Sequence, residues 1–271
     1  MKTHLTRRRF LRTATAALGA APFIARAAAS EGFEIGLVAD NQYADIAPRG
    51  SRYYREGLPR LGEAVEHFNR RDLAGCVHLG DLIERGWRSF DDVLEPLSRS
   101  RHRWHHLLGN HDFDVADEFK PRVPSRLAMT ARHYAIDHGS FRFVMLDTND
   151  VSTYAHPAGT PAHQEATGEL AHIEAARLIQ AKPWNGGVSP VQLAWLDRTC
   201  ASARADGRKV ILFAHHPIAP EDSHLVWNAA EVLAVVGRHP HIVAWFNGHN
   251  HAGAYAEHHG VPFVTLHGMV E

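Results

Sequence analysis

The feature that most constrains the fold is a repeated unit in which a short apolar run ends abruptly in polar residues. Five such runs occur, at about 33–39, 73–79, 105–108, 209–214 and 241–246. Short apolar runs that alternate with amphipathic segments are typical of βαβ units in a mostly parallel sheet. No internal repeat or linker divides the chain. The sequence therefore predicts a single α/β domain whose strands carry polar residues at their carboxyl ends.

The segments between the runs carry helix signals. Residues 58–68 place four apolar side chains on one helical face. Ser189 is a suitable N-cap, and Pro190 fits the first turn of the helix that follows. Residues 151–167 are rich in turn formers and are expected to form a long surface loop. A helix is expected over 169–181. It should end there because Pro183 disfavours helical backbone at the residue before it.

The first 29 residues have the composition of an export signal. A twin-arginine pair, Arg7 and Arg8, stands in a basic block, and an apolar run over 14–24 and a small-residue stretch follow it. This order predicts a Tat-type signal peptide over residues 1–29 and a mature domain over 30–271. A retained anchor is the alternative, but the run is shorter than the ~20 residues that a spanning helix needs. We therefore expect a periplasmic or secreted protein without a stable membrane anchor.

Charge and cysteine content narrow the class of partner. Without residues 1–29, the chain loses six Lys and Arg and no acid, which leaves 23 basic against 30 acidic residues and a net charge of about −7. An acidic body argues against nucleic acid and favours a small-molecule substrate. Cys76 and Cys200 lie in apolar surroundings and are expected to be small buried side chains, although the sequence leaves a disulfide open. The sequence does not indicate an oligomeric state.

Side chains that can ligate metal ions follow all five apolar runs. They are oxygen and imidazole donors: Asp40, Gln42, Asp81, Asn110, His215, His249 and His251. Donors of this hardness favour divalent Mn, Fe or Zn. Seven ligands are too many for one ion, but they suit two ions ~3.5–4 Å apart that share a carboxylate. A turn or cap would explain each residue alone, but not the recurrence after five successive runs.

The Gly-Asn-His-Asp motif adds a group for proton transfer. His111 offers a ring nitrogen to a phosphoryl oxygen, and Asp112 is expected to hold that ring in one tautomer. We therefore predict that His111 and Asp112 are catalytic; a turn in which Asn110 and Asp112 act only as caps is the alternative. Tyr43 and Tyr53 are candidates for stacking on a flat group of a substrate, although either suits the core equally.

The order of these motifs resembles that of the calcineurin-like metallophosphoesterase superfamily from about Glu34 to the C-terminus. The motifs are Asp-x-Gln (40–42), Gly-Asp-x₄-Gly (80–86), Gly-Asn-His-Asp (109–112), His215 before His216-Pro217, and Gly-His-x-His (248–251). Most of the superfamily has His where this chain has Gln42. That glutamine, Asn185-Gly186-Gly187 and Trp227-Asn228 are similar to the manganese-dependent ADP-ribose/CDP-alcohol diphosphatase family.

The resemblance implies a four-layer αββα sandwich and two divalent ions, with Mn expected first. One ion would take Asp40, Gln42, Asp81 and His251, and the other Asp81, Asn110, His215 and His249. The implied reaction is hydrolysis of the phosphoanhydride bond in nucleoside diphosphate derivatives such as ADP-ribose and CDP-alcohols, by a hydroxide held between the ions. A phosphodiesterase or phosphomonoesterase with the same site is the first alternative. A non-catalytic metal-binding scaffold is the second.

Overall fold

Two β-sheets organise the part of the chain that this computed structural model describes, residues 32–271. The predicted signal peptide lies outside the described residues. The smaller sheet contains β1 (Gly36–Val38), β2 (Cys76–His78) and β3 (Trp104–His106), in that order and all parallel. Each has three residues, and the polar ligand candidates Asp40, Asp81 and Asn110 follow two to four positions after the strand ends.

The larger sheet is mixed and has six strands in the order β4-β5-β6-β7-β9-β8. Antiparallel hairpins form its two edges, and its inner pairs are parallel. The strands are β4 (Tyr134–His138), β5 (Phe141–Met145), β6 (Lys209–Phe213), β7 (Ile242–Asn247), β8 (Ala252–His258) and β9 (Val261–His267). The predicted parallel arrangement is therefore confirmed for the strands that precede the candidate ligands.

Within residues 32–271, six α-helices connect and cover the strands. They are α1 (Gly57–Asn69), α2 (Ser89–Ser98), α3 (Val123–Arg126), α4 (Pro161–Ala175), α5 (Pro190–Ala205) and α6 (Ala229–Gly237). As predicted, α5 begins after Ser189, whose side chain accepts a hydrogen bond from the backbone N–H of Gln192 at 3.2 Å.

Three apolar clusters fill the spaces between the layers. Between the sheets, Leu79 and Leu107 from the small sheet pack with Met145 and Phe213 from the large one. A second cluster lies between the small sheet and helices α1 and α2. The third lies between the large sheet and helices α5 and α6. The predicted four-layer αββα sandwich is therefore confirmed.

The predicted loop over 151–167 and helix over 169–181 are wrong in position. Helix α4 begins at Pro161, and the side chain of Thr160 caps it by accepting from the backbone N–H of His163 at 3.3 Å. The helix ends at Ala175 because Arg177 adopts a left-handed backbone, with φ of 55°. Thr160-Pro161 has the same cap-proline form that correctly located the start of α5.

Two smaller predictions concern cysteines and membranes. Cys76 and Cys200 are free, buried thiols. Burial raises the pKa of Cys76 to about 11 and that of Cys200 to about 12, which keeps both neutral. Among the helices of the described residues, none has the length and apolarity needed to cross a membrane.

Candidate active site

The structure brings the seven predicted ligand residues together, because the ends of β1, β2, β3, β6 and β7 meet at one edge of the sandwich. The side chains lie in and beneath a cleft of about 360 Å³. Ligand atoms of Asp40, Asp81 and His215 lie within 4.8 Å of one another, and all three residues are fully buried.

One group of ligands surrounds Gln42. Its Nε2 lies 3.1 Å from Oδ2 of Asp81 and 3.3 Å from Nε2 of His251, and the same His251 nitrogen lies 3.5 Å from Oδ1 of Asp40. The amide oxygen of Gln42 is buried and has no hydrogen-bond partner among the described residues. Rotating the amide by half a turn would put that oxygen among the ligand atoms, where a cation would satisfy it.

The second group surrounds His215. Its Nδ1–H donates to the backbone oxygen of Leu79 at 2.8 Å, which leaves Nε2 to face Asp81 Oδ2 (3.4 Å) and Asn110 Oδ1 (3.2 Å). A carbonyl partner on the other ring nitrogen is the usual support of a metal-binding histidine. Burial lowers the pKa of His215, but the Asp81 carboxylate outweighs burial and raises it to about 9.

The charges in the site suit a cation. Asp40 and Asp81 are fully buried carboxylates, and their charged neighbours within residues 32–271 are the imidazoles of His251 (3.5 Å) and His215 (3.4 Å), with no Lys or Arg. A histidine that binds metal is neutral, so in a loaded site the metal ions would balance these buried carboxylates. Together with the orphaned amide oxygen of Gln42, this makes the donor set a good fit to divalent ions.

His249 connects the site to a buried asparagine. Its Nε2–H donates to Oδ1 of Asn185 at 2.9 Å, and its ring lies 4.2 Å from that of His216, between ring centres. Both nitrogens of His216 already contact protein, Nδ1 with Thr148 Oγ1 (2.7 Å) and Nε2 with the Trp184 carbonyl (3.3 Å). His216 is therefore a buried support, which favours His215 as the ligand of this pair.

The backbone around the ligands is strained and closely packed. Four ligand residues have positive φ: Asp40 (53°), Gln42 (43°), Asp81 (59°) and His249 (69°). Left-handed backbone at non-glycine residues costs free energy and is concentrated at functional sites. A Cβ at Gly109 would collide with the Asp81 carboxylate, and one at Gly248 with that of Asp40. Glycine at these two positions therefore lets the strand ends approach each other.

His111 lines the cleft, but its partner is Glu84 and not Asp112. Nδ1–H of His111 donates to the backbone oxygen of Glu84 at 3.2 Å, and the same nitrogen lies 3.1 Å from Oε2 of the buried Glu84 side chain, an oxygen that accepts no hydrogen bond within residues 32–271. Asp112 instead accepts from the backbone N–H groups of Gly109 (2.8 Å), Asp81 (3.0 Å) and Leu82 (2.9 Å). The prediction that Asp112 orients His111 is therefore wrong. The two residues are neighbours in a 3₁₀ turn, where successive side chains point about 120° apart.

Comparison with known proteins assigns the chain to a family. The calcineurin-like phosphoesterase profile matches residues 33–253. The chain belongs to this family. It is 32% identical to the manganese-dependent ADP-ribose/CDP-alcohol diphosphatase of Bos taurus, over 88% of this chain and 84% of that protein. The protein of that name from Xenopus tropicalis is 29% identical with the same coverage.

A solved structure supports the same assignment. The crystal structure of a dimetal phosphatase from Danio rerio matches with a TM-score of 0.79 and 28% identity, over 88% of each chain. The protein described here is thus a calcineurin-like phosphoesterase with the fold of a dimetal phosphatase, and it is a metal-dependent phosphohydrolase.

The cleft of this phosphoesterase contains residues that the sequence did not reveal. Arg52, Trp184 and His224 line it together with the ligand residues. Tyr43 does not: it is only 8% exposed and packs in the core between the small sheet and its helices. Tyr53 is 46% exposed but lies outside the cleft lining. The prediction for Tyr43 is therefore wrong, and Tyr53 is exposed outside the cleft lining.

A local signal existed for only one of the missed residues. Glu84 stands three residues after Asp81, inside the Gly-Asp-x₄-Gly motif, so an acidic partner for His111 was visible in the sequence. Arg52 and Trp184 lie on loops that reach the cleft only through tertiary packing. No spacing rule in the sequence predicts which loop side chains face a cleft.

Proposed function

We propose that this phosphoesterase hydrolyses the phosphoanhydride bond of nucleoside diphosphate derivatives such as ADP-ribose and CDP-alcohols. The observation that carries the proposal is Arg52. It is the only Lys or Arg lining the ligand cleft, and its guanidinium makes no ion pair within residues 32–271. A free guanidinium beside a metal site suits a substrate with a second phosphate, because it can bind phosphate with two parallel hydrogen bonds. The names of the Bos taurus and Xenopus tropicalis relatives support this substrate class.

Two divalent ions would be held by the ligand groups described above, with Asp81 common to both. When bound, such ions neutralise phosphoryl charge and lower the pKa of water that they bind. The mixture of carboxylate, amide and imidazole donors favours Mn²⁺ over softer ions, with Fe and Zn as further candidates. The manganese dependence in the names of the relatives supports the same choice.

Two side chains of the protein, His111 and Arg52, would contact the substrate. The backbone oxygen of Glu84 accepts from Nδ1–H of His111, which leaves Nε2 of His111 for the substrate. In the imidazolium form, in which both ring nitrogens carry a proton, His111 would donate a hydrogen bond from Nε2–H to a phosphoryl oxygen or to the leaving oxygen. A phosphate leaving group is a weak base and needs little protonation, so on a diphosphate His111 would act mainly by stabilising charge. Arg52 would hold the phosphate that is not attacked.

The test is a comparison of substrates in the presence of Mn²⁺. We expect kcat/KM for ADP-ribose or CDP-glycerol to exceed that for a nitrophenyl phosphodiester and a nitrophenyl monoester by about tenfold or more, and chelation to abolish every activity. Arg52→Gln should reduce kcat/KM on the diphosphates and leave the monoester almost unchanged, since only the diphosphates present a second phosphate.

Two results would contradict the proposal. A simple ester that is hydrolysed faster than every diphosphate would make the protein a phosphodiesterase or phosphomonoesterase of the same family. Equal losses on diphosphate and monoester in Arg52→Gln would remove Arg52 as the group that reads the second phosphate. Elemental analysis of the variant for Mn serves as the control, because Arg52 is not among the ligand residues.

A further inference from the structure

A second cleft adjoins the ligand cleft, and Trp184 lies at the boundary between them. The second cleft has a volume of about 390 Å³, against about 360 Å³ for the first. Three residues line both: Asn110, His111 and Trp184. A substrate whose phosphates occupy the first cleft can therefore extend past the indole into the second without leaving the protein surface.

Trp184 is exposed although it is a large aromatic residue. Its exposed fraction is 44%, while Trp227 and Trp245 are buried in the core. Within residues 32–271, six large apolar side chains are strongly exposed, and only Trp184 among them lines either cleft. An exposed aromatic side chain at a cleft wall is a typical contact for a ligand with a flat, apolar face.

The backbone that carries this indole is held in place on both sides. The carbonyl oxygen of Trp184 accepts from Nε2–H of His216, and the side chain of Asn185 donates to the backbone oxygens of Gln180 (2.9 Å) and Ser223 (2.7 Å). The carbonyl of Lys182 accepts from the buried Trp227 indole at 3.0 Å. The exposure of Trp184 therefore belongs to an ordered turn, so little conformational entropy would be lost when a ligand stacks on it.

The other walls of the second cleft suit a planar ring better than a phosphate. Phe113, Val115, Tyr154 and Pro183 are among its lining residues. Its one Lys or Arg is Lys120, whose Nζ lies 2.7 Å from Oδ1 of Asp117 and is therefore already paired. The unpaired cation of the region, Arg52, lines the first cleft.

We propose that the second cleft binds the nucleoside half of the substrate, with its base stacked on Trp184. The proposal rests on the function proposed above, because it assigns a place to the part of a nucleoside diphosphate derivative that does not react. Every base has a π-face, so stacking accepts adenine and cytosine alike. The opposite half of the substrate would extend from the second phosphate, toward Arg52.

The kinetic test compares Trp184→Ala with Trp184→Phe. Removal of the ring should raise KM for ADP-ribose about 5- to 150-fold with little change in kcat, because stacking is equally strong before and during the reaction. Trp184→Phe should retain most of the wild-type KM. Tyr255→Ala, which removes an aromatic side chain 64% exposed and lining neither cleft, is the matched control. Methyl diphosphate, which has no base, should be hydrolysed equally by all four proteins.

A binding measurement separates this proposal from the proposed function. In Mn²⁺-loaded protein, calorimetry should show that Trp184→Ala weakens binding of AMP and CMP by a similar factor and leaves ribose 5-phosphate unaffected. If wild-type protein hydrolyses ADP-ribose but Trp184→Ala has unchanged KM and unchanged AMP affinity, stacking on Trp184 is refuted and the proposed function stands. If simple esters are the better substrates while AMP binding still depends on Trp184, the proposed function fails and the base site stands.

Discussion

At the scale of single residues, the buried carboxylate of Glu84 decides how His111 can act. Glu84→Gln keeps the shape of the side chain and the backbone oxygen that accepts from His111, but it removes the negative charge that lies 3.1 Å from Nδ1 and would stabilise the protonated imidazole. We expect kcat to fall about 10- to 100-fold, the range typical of groups that support a functional histidine, and His111→Ala to cost about 10²- to 10⁴-fold. The losses should be larger on an alkyl diester than on a diphosphate, because an alkoxide leaving group needs the proton.

Asp112 provides the matched comparison, because it contacts backbone and not His111. Asp112→Asn replaces one acceptor oxygen by an N–H₂ group, which would meet buried backbone donors either at Gly109 and Asp81 or at Leu82. It should lower the free energy of unfolding by about 1–3 kcal/mol and reduce bound Mn, whereas Glu84→Gln should keep both at wild-type values. Chemical denaturation and elemental analysis distinguish the two variants. Metal loss in Glu84→Gln would mean that Glu84 supports the ligands instead.

At the scale of elements, strands β2 and β3 bury histidines that must stay neutral. Burial lowers the pKa of His105 and His106 to about 4 and that of His78 well below its usual value. Unfolded histidine titrates near 6.5, so below that pH the unfolded chain binds more protons than the folded one. The stability conferred by neutral histidines is thus present above about pH 6.5 and is lost as the pH falls toward 4.

This predicts a loss of up to about 1.4 kcal/mol per pH unit for each such histidine. Urea unfolding of chelated protein between pH 7.5 and 4.5 measures the effect without a contribution from metal release. His106→Gln should make the pH dependence shallower, because it removes one of the buried histidines. A slope in His106→Gln equal to that of the wild type would show that this ring does not carry the effect.

At the scale of the whole molecule, export by the N-terminal segment is linked to loading of the metal site. We propose that residues 1–29 export the protein after folding, since the twin-arginine route carries folded proteins and allows metal loading before export. Changing Arg7 and Arg8 together to Lys should leave folded, active protein in the cytoplasm of a Tat-competent bacterial host. Arg12→Lys, outside the pair, is the charge-matched control. Undiminished recovery of the double variant from the periplasm would refute this route.

The sequence by itself determined those features that depend on neighbouring residues. Apolar runs and the helical spacing between them predicted an α/β domain with parallel strands, because both are local patterns, and the resemblance to the metallophosphoesterases implied the αββα sandwich. The residue types directly after β1, β2, β3, β6 and β7 predicted which side chains would meet, since parallel strands end at a common edge. Ser189-Pro190 located the start of α5 for the same local reason. Thr160-Pro161 carries the same signal, so the start of α4 was also predictable from the sequence.

Only the tertiary structure decided the matters that depend on distant segments. Asp112 was the predicted partner of His111, but it accepts from backbone N–H groups, and the ring contacts Glu84 instead. Tyr43 is buried and Trp184 is exposed because of the segments that pack around each. The residue type alone does not predict those contacts. Arg52 and Trp184 come to one cleft from segments more than a hundred residues apart. Loop conformation is set by long-range contacts and not by local periodicity, so the part of the site that reads the substrate emerged only with the fold.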